Sequence, residues 1–273
     1  MLREARTTYE DKSPHILKIW QQNVNKSRTC QHDLISSGRL AREGIDIVAL
    51  QEPKINEFGG TVTSREWTVI YPSTHTSDPA KTRSIILIRA DIITDNWTQI
   101  DANSGDITAI TLRGRWGEIA IYNAYIDCIY DQGLDELAKI TRSHENRRGR
   151  EPGQQAHTIW LGDFNRHHPH WDNPSDIRLF TREALSSAEK LISEVANAGL
   201  ELALPPTRPT HKHNVTKKWT RLDQVFLSEH SMDALVACDT LRHTPGICTD
   251  HLPILTVLDL IIKHAPTKII TNY

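Results

Sequence analysis

The sequence predicts a layered α/β sandwich built as one domain. Short apolar runs recur along the chain, and each reads as a buried strand. Segments with apolar residues three or four positions apart fall among them, so strands and helices come in mixed order with strands in the majority. The chain has 273 residues, 24% of them charged. That length buries a sizeable core without a disulfide or metal staple, and the charge fraction argues against wholesale disorder.

The elements follow in order. Residues 1–13 are polar and read as a flexible N-terminal segment, 14–260 as the folded domain and 261–273 as a C-terminal tail. Ile16-Leu17-Lys18-Ile19-Trp20 opens the first strand, which ends at Asn23. Cys30 to Glu43 is helix-compatible, with Gly38 as a weak point. Ile45 to Leu50 is the second strand, closed by Gln51-Glu52-Pro53. Further β-type runs are Trp67–Tyr71, Ser84–Ile88, Ile107–Leu112 and Glu118–Tyr125. Leu134–His144 reads as a helix and His157–Leu161 as a strand. The clearest helix is Ile177–Ala198, with Leu185, Ala188, Leu191, Ile192 and Val195 on one face and Gly199 as its stop. Thr220–Leu227 and Pro253–Leu258 supply late strands.

A net charge of −2 means that any nucleic-acid surface must come from uneven distribution. No apolar run reaches the roughly 18 residues a membrane span requires, the longest being broken by Asp259. The N-terminus lacks the apolar stretch of a secretory signal. Cys30, Cys128, Cys238 and Cys248 are scattered and read as reduced thiols of an intracellular protein. Cys238, His243, Cys248 and His251 fall close together, but their spacing matches no common zinc module. His167-His168-Pro169-His170-Trp171 reads as a loop that packs its tryptophan, since adjacent histidines rarely face one ion.

The strand ends carry the chemistry. Asn23, Glu52, Asp163 and Asn165 each follow a short apolar strand, and Asp250-His251 precedes another. Any one of them alone is what a loop ordinarily carries. Several converging at one sheet rim make a hard-oxygen site suited to Mg²⁺ or Mn²⁺.

Their local spelling adds to this: W-Q-Q-N to Asn23, L-Q-E-P at Glu52, Y-N-A-Y to Tyr125, L-G-D-F-N, R-L-D at Asp223 and T-D-H-L-P-I. In this order the motifs resemble the endonuclease/exonuclease/phosphatase superfamily of DNase I-like and apurinic endonucleases. G-D-F-N-R-H-H-P-H-W and I-W-Q-Q-N-V-N-K-S resemble the endonuclease domain of LINE-type (non-LTR) retrotransposons. The resemblance covers roughly residues 14–260. It implies a four-layer sandwich of two packed mixed sheets flanked by helices. It implies that Glu52 is the principal metal ligand, with Asn23 and Asp250 beside it. Asp163 would deprotonate the attacking water, and Asn165 would orient Asp163 and the phosphate. His251 would contact the phosphate, Asp223 would orient His251, and Tyr125 would donate a hydrogen bond on the phosphate side. Where many relatives carry Pro-Asn after the strand, this chain has Asp127-Cys128 following Ile126, so it lacks that amide.

The resemblance implies a Mg²⁺-dependent DNA endonuclease, with Mn²⁺ as a substitute, that nicks one strand and leaves a 3′-hydroxyl. In a retrotransposon such an end primes reverse transcription. No polymerase segment follows Leu260, so an excised domain or a stand-alone remnant of a longer reverse-transcriptase polyprotein is expected. Nuclear access is inferred from the substrate alone. A small-molecule phosphatase or phosphodiesterase and an inactive DNA-binding remnant are the competing readings. Pro205–Arg221 contains Arg208, Lys212, Lys217, Lys218, Trp219 and Arg221 and no acid, and reads as a loop that lies along a DNA backbone. Lys139, Arg142, Arg147, Arg148 and Arg150 form a second basic cluster, in what reads as a polar connection.

Overall fold

The computed structural model describes residues 15–114, 116–148, 156–243 and 246–260. The expected N-terminal segment, the C-terminal tail and Arg150 lie outside them.

Two six-stranded mixed sheets pack face to face. The first contains β1 (Ile16–Asn23), β2 (Ile47–Gln51), β3 (Trp67–Ile70), β4 (Ser84–Arg89), β13 (Leu235–Thr240) and β14 (Ile254–Asp259), in the order β13-β14-β1-β2-β4-β3. The second contains β5 (Trp97–Ile100), β6 (Ile107–Gly114), β7 (Gly117–Tyr125), β8 (Ala156–Asp163), β9 (Leu200–Leu202) and β12 (Asp223–Ser228), in the order β5-β6-β7-β8-β12-β9. A ribbon of β10 (His211–Lys212) and β11 (Trp219–Thr220) stands apart from both.

The central strands bury both faces, so they read as unbroken apolar runs rather than as alternation. Ile47 and Ala49 of β2, Ile86 and Ile88 of β4, Ile119 and Ile121 of β7, and Ile159 and Leu161 of β8 fill the core between the sheets. Their neighbours point outward. Val48, Leu50, Ile85 and Leu87 meet Cys30, Leu34 and Leu40 of α1 (Arg28–Ser36) and α2 (Arg39–Arg42). Tyr122, Trp160 and Phe226 meet Leu134, Leu137, Leu191 and Val195 of α3 (Gln132–Arg147) and α4 (Arg182–Asn197). The layers are therefore helices, sheet, sheet, helices, and the expected four-layer sandwich is the fold. A short α5 (Glu229–Asp233) links β12 to β13.

Two helices differ from expectation. The single helix expected over residues 30–43 is two, broken at Gly38, whose φ of 66° lies in the left-handed region that glycine enters freely. The helix expected from Ile177 starts at Arg182, because the Thr181 hydroxyl accepts from the Ala184 N–H and sets the N-terminus there. The second basic cluster is not a polar connection: Lys139, Arg142 and Arg147 lie on α3, where Lys139 pairs with Glu136 and Arg142 with Glu194. No helix of the described residues is long and apolar enough to cross a membrane.

Candidate active site

The site grows out of strand periodicity. In β8 the residues facing the other sheet are Ile159 and Leu161, and the next on that face is Asp163. In β12 the face of Leu227 and Val225 continues to Asp223, and in β1 the face of Leu17 and Ile19 continues to Asn23. In β7, Ile119 and Ile121 lead to Asn123 and Tyr125. Pairing aligns these ends: Asp163 sits opposite both Tyr125 and Asp223. The inter-sheet core thus changes from aliphatic to polar at one rim. Gly162 allows β8 to press there, since a Cβ on it would meet the Ala124 carbonyl oxygen at 1.9 Å and its φ is 146°.

Asp163, Asp223 and His251 are almost fully buried. Asp163 Oδ2 accepts from Asn23 Nδ2 at 2.8 Å, and Oδ1 accepts from the Asn165 N–H at 3.1 Å. His251 places Nδ1 2.8 Å from Asp223 Oδ2 and Nε2 4.0 Å from Asp163 Oδ2. Burial first, then the Asp223 charge, raises the Asp163 pKa, while His251 and Asn23 oppose the rise. Burial works against charge on His251, but Asp223, Asp163 and Asp250 outweigh it and lift the imidazole pKa well above its ordinary value. The result is a carboxylate of increased basicity beside an imidazolium, which suits proton abstraction next to a developing negative charge.

Glu52 and Asn165 both adopt left-handed backbone, with φ of 47° and 50°. For a glutamate this is uncommon and persists only where the surroundings enforce it. The Glu52 N–H donates to the Arg83 carbonyl and the Lys26 N–H donates to the Glu52 carbonyl, each at 2.8 Å. Its carboxylate makes no hydrogen bond or ion pair among the described residues. Asp250 is engaged instead: its oxygens accept from Asn25 Nδ2 at 3.1 Å and Asn214 Nδ2 at 2.8 Å, and His211 Nε2 lies 3.5 Å away. The His211 hydrogen bond is the largest influence holding the Asp250 pKa down to about 2. Asn165 holds Asp163 through its backbone rather than its side chain. Its amide donates to the Ile126 carbonyl at 3.0 Å, and its backbone N–H holds Asp163.

Two residues that the sequence did not single out, Asn123 and Arg83, complete the site, with His211 of the basic segment beside them. Asn123 donates to the Leu50 and Ile85 carbonyls and clamps one sheet to the other. Arg83 pairs with Asp106 and Asp127 and lies 4.7 Å from the centroid of the Tyr125 ring, so the unusual Asp127 serves as an arginine anchor. His211 faces Asp250 and His251.

The basic segment divides. Lys212, Lys217, Lys218 and Trp219 belong to the exposed β10–β11 ribbon, which joins His251 through a bridge at His211. Arg208 lies outside the ribbon and pairs with Asp239. Arg221 corrects the expectation. It is buried, donating to Gln224 and to the Leu204 and Pro205 carbonyls, and burial lowers its pKa to about 10. It braces the chain entering β12 and cannot reach a DNA backbone. Among the described residues Cys238, His243, Cys248 and His251 form no metal cluster, and neither do the histidines of the 167–171 loop. In that loop His167 faces Asp172, and Trp171 is buried.

The model of the endonuclease–reverse transcriptase family matches residues 119–255, half of the chain. The chain belongs to this family. The family's DNase I-like fold, that of the endonuclease/exonuclease/phosphatase superfamily, is also the fold of the solved structures that resemble it. The endonuclease domain of TRAS1, a telomere-specific non-LTR retrotransposon, has a TM-score of 0.66 at 17% identity, over 89% of this chain and 98% of that one. The AP endonuclease LMAP from Leishmania major has a TM-score of 0.65 at 15% identity, over 95% and 92%. A 3′–5′ exonuclease from Neisseria meningitidis has a TM-score of 0.64 at 17% identity, over 89% and 100%. No curated protein matches the sequence.

Proposed function

We propose that this family member is a Mg²⁺-dependent DNA endonuclease that nicks one strand and leaves a 3′-hydroxyl, as in target-site cleavage by a non-LTR retrotransposon. The observation that carries the reading is the meeting of Asp163, Asn23 and the His251–Asp223 pair at one rim, beside the unpartnered Glu52 carboxylate. Asp163, raised in pKa, takes a proton from water as the water oxygen attacks phosphorus. The bond from phosphorus to the 3′-oxygen breaks, that oxygen leaves as a hydroxyl after taking a proton from solvent, and the water oxygen stays on the 5′-phosphate. His251 as an imidazolium offsets charge on the phosphate oxygens, and Asp223 holds its ring. Asn165 contributes through its backbone, and Tyr125 faces the phosphate under the Arg83 guanidinium.

Hard oxygen donors fit Mg²⁺ or Mn²⁺, and the free Glu52 carboxylate together with Asn23 is where such an ion would be held, with Asp250 at its edge. When bound, it supplies a Lewis acid for the phosphate and a lowered pKa for water. The protruding ribbon with Lys212, Lys217 and Lys218 supports a duplex substrate over a small phosphate ester. In the family's setting a reverse transcriptase region would use the 3′-hydroxyl. Conversion of supercoiled plasmid to open circle with Mg²⁺, but not with EDTA or in Asp163→Asn, followed by polymerase extension from the nick, tests the reading. Ends that no polymerase extends refute the 3′-hydroxyl.

A further inference from the structure

His211 lies outside the proposed phosphodiester chemistry, yet its ring sits with its centroid 4.7 Å from that of His251. Both imidazoles are anchored in the same sense. His211 Nδ1 meets Thr220 Oγ1 at 3.1 Å, and His251 Nδ1 meets Asp223 Oδ2 at 2.8 Å. The two Nε2 atoms are thereby turned to one carboxylate, 3.5 Å and 3.9 Å from Asp250 oxygens. The three donor atoms lie within 4.8 Å of one another.

We propose that His211, Asp250 and His251 form a binding site for a transition-metal dication of the zinc class, centred on the two imidazoles and sharing only Asp250 with the edge of the oxygen site at Glu52. Tetrahedral zinc holds nitrogen and oxygen ligands at about 2.0–2.1 Å, which places neighbouring ligands about 3.4 Å apart. The three donors, all within 4.8 Å of one another, reach that value by drawing together through side-chain rotation. Two imidazoles and one carboxylate favour zinc, copper or nickel over magnesium, which takes oxygen ligands. The outer partners are those that metal-bound histidines ordinarily have: Nδ1 on a carboxylate or hydroxyl, and a ligating carboxylate that itself accepts hydrogen bonds, here from Asn25 and Asn214. A cleft of about 340 Å³, lined by Lys212, Trp219, Asp250 and His251, opens on the cluster and leaves room for a water as fourth ligand. An ion held there ties up His251 Nε2. If the proposed function holds, this cation class is an inhibitor at the step where His251 faces the phosphate.

The test measures binding without DNA, so it is readable whether or not the protein nicks. Zn²⁺ titrated calorimetrically into the full chain at pH 8 should bind at one site, and Co²⁺ should give the intense visible bands of tetrahedral coordination. His211→Gln keeps a polar group facing Asp250 but is a poor ligand, and should weaken Zn²⁺ binding by about 100-fold or more and abolish the bands. Circular dichroism confirms that the variant is folded, and His211→Phe provides a second removal of the ligand. Asp163→Asn should keep the Zn²⁺ site and the Co²⁺ bands, since it removes none of the three donors. Wild-type affinity in both His211 variants overturns the site. So does loss of binding in Asp163→Asn alone, which would assign the ion to Asp163, Asp223 and His251.

Discussion

Removing Asp223 tests whether the buried carboxylate acts through His251. The bond it makes spans 2.8 Å, and the two side chains are 1% and 7% exposed, so water cannot replace it. A hydrogen bond to a charged group contributes about 1.5–3 kcal/mol. If it acts fully in the transition state, Asp223→Ala lowers kcat/KM by about 10- to 150-fold. His251→Ala removes the ring itself and loses at least as much. The double variant should then be no slower than His251→Ala, because Asp223 has nothing left to orient. Asp223→Asn retains an acceptor for the ring N–H without the charge and should fall between wild type and Asp223→Ala. Single-turnover nicking of supercoiled plasmid under saturating Mg²⁺ measures all four. A double variant showing the full product of the two single losses would separate the residues, and Asp223 would then act elsewhere, for example on the basicity of Asp163.

Glu52→Gln keeps the shape and removes the anionic donor, so the Mg²⁺ concentration for half-maximal nicking should rise; an unchanged Mg²⁺ titration removes Glu52 from the ion site. Replacing Lys212, Lys217 and Lys218 together by Gln should reduce the slope of log affinity against log salt for duplex DNA by about 2.7, at about 0.9 per lost phosphate contact. A wild-type slope makes the ribbon a solvated hairpin. His157, fully buried in β8, has its pKa lowered from 6.5 to about 4, first by burial and then by His230 and Arg148. Below pH 6.5 the unfolded chain takes up a proton the folded chain refuses. Stability should therefore fall by about 3 kcal/mol between pH 6.5 and 4 beyond the loss seen in His157→Gln. Urea midpoints that track each other through that window refute the assignment.

The sandwich was legible because its central strands bury both faces. Runs such as Ile47-Val48-Ala49-Leu50 and Ser84–Ile88 need no tertiary information to read as β. The strands passed over are β5, β9, β13 and the β10–β11 ribbon. Trp97–Ile100 and Leu235–Thr240 lie at sheet edges, where half-exposed residues leave no apolar run. Asp163 and Asp223 were legible for a related reason, since each prolongs the inner face of a strand one step past its aliphatic part. Residues whose partners lie on another sheet were not. Asn123 looks like one polar residue in a strand until the Leu50 and Ile85 carbonyls are set beside it, and Arg83 looks like a surface charge until Asp106 and Asp127 are. Arg221 erred in the opposite direction. In a basic run it reads as solvent-facing, and only the arrival of three acceptors from the chain around it makes burial affordable.

The proposed reacting groups are shared between the sheets. Asn23 and Glu52 belong to one, Asp163 and Asp223 to the other, and β1 and β8 touch only through their packed faces. The thickness of the aliphatic filling is therefore a kinetic quantity. A methylene lost from Ile159 or Ile121, remote from any phosphate, lets the two halves settle closer together. A misplacement of about 1 Å can cost about a hundredfold in rate, far more than the accompanying change in folding free energy would suggest. Changes in those isoleucines should therefore appear first as slow enzymes and only later as unstable ones.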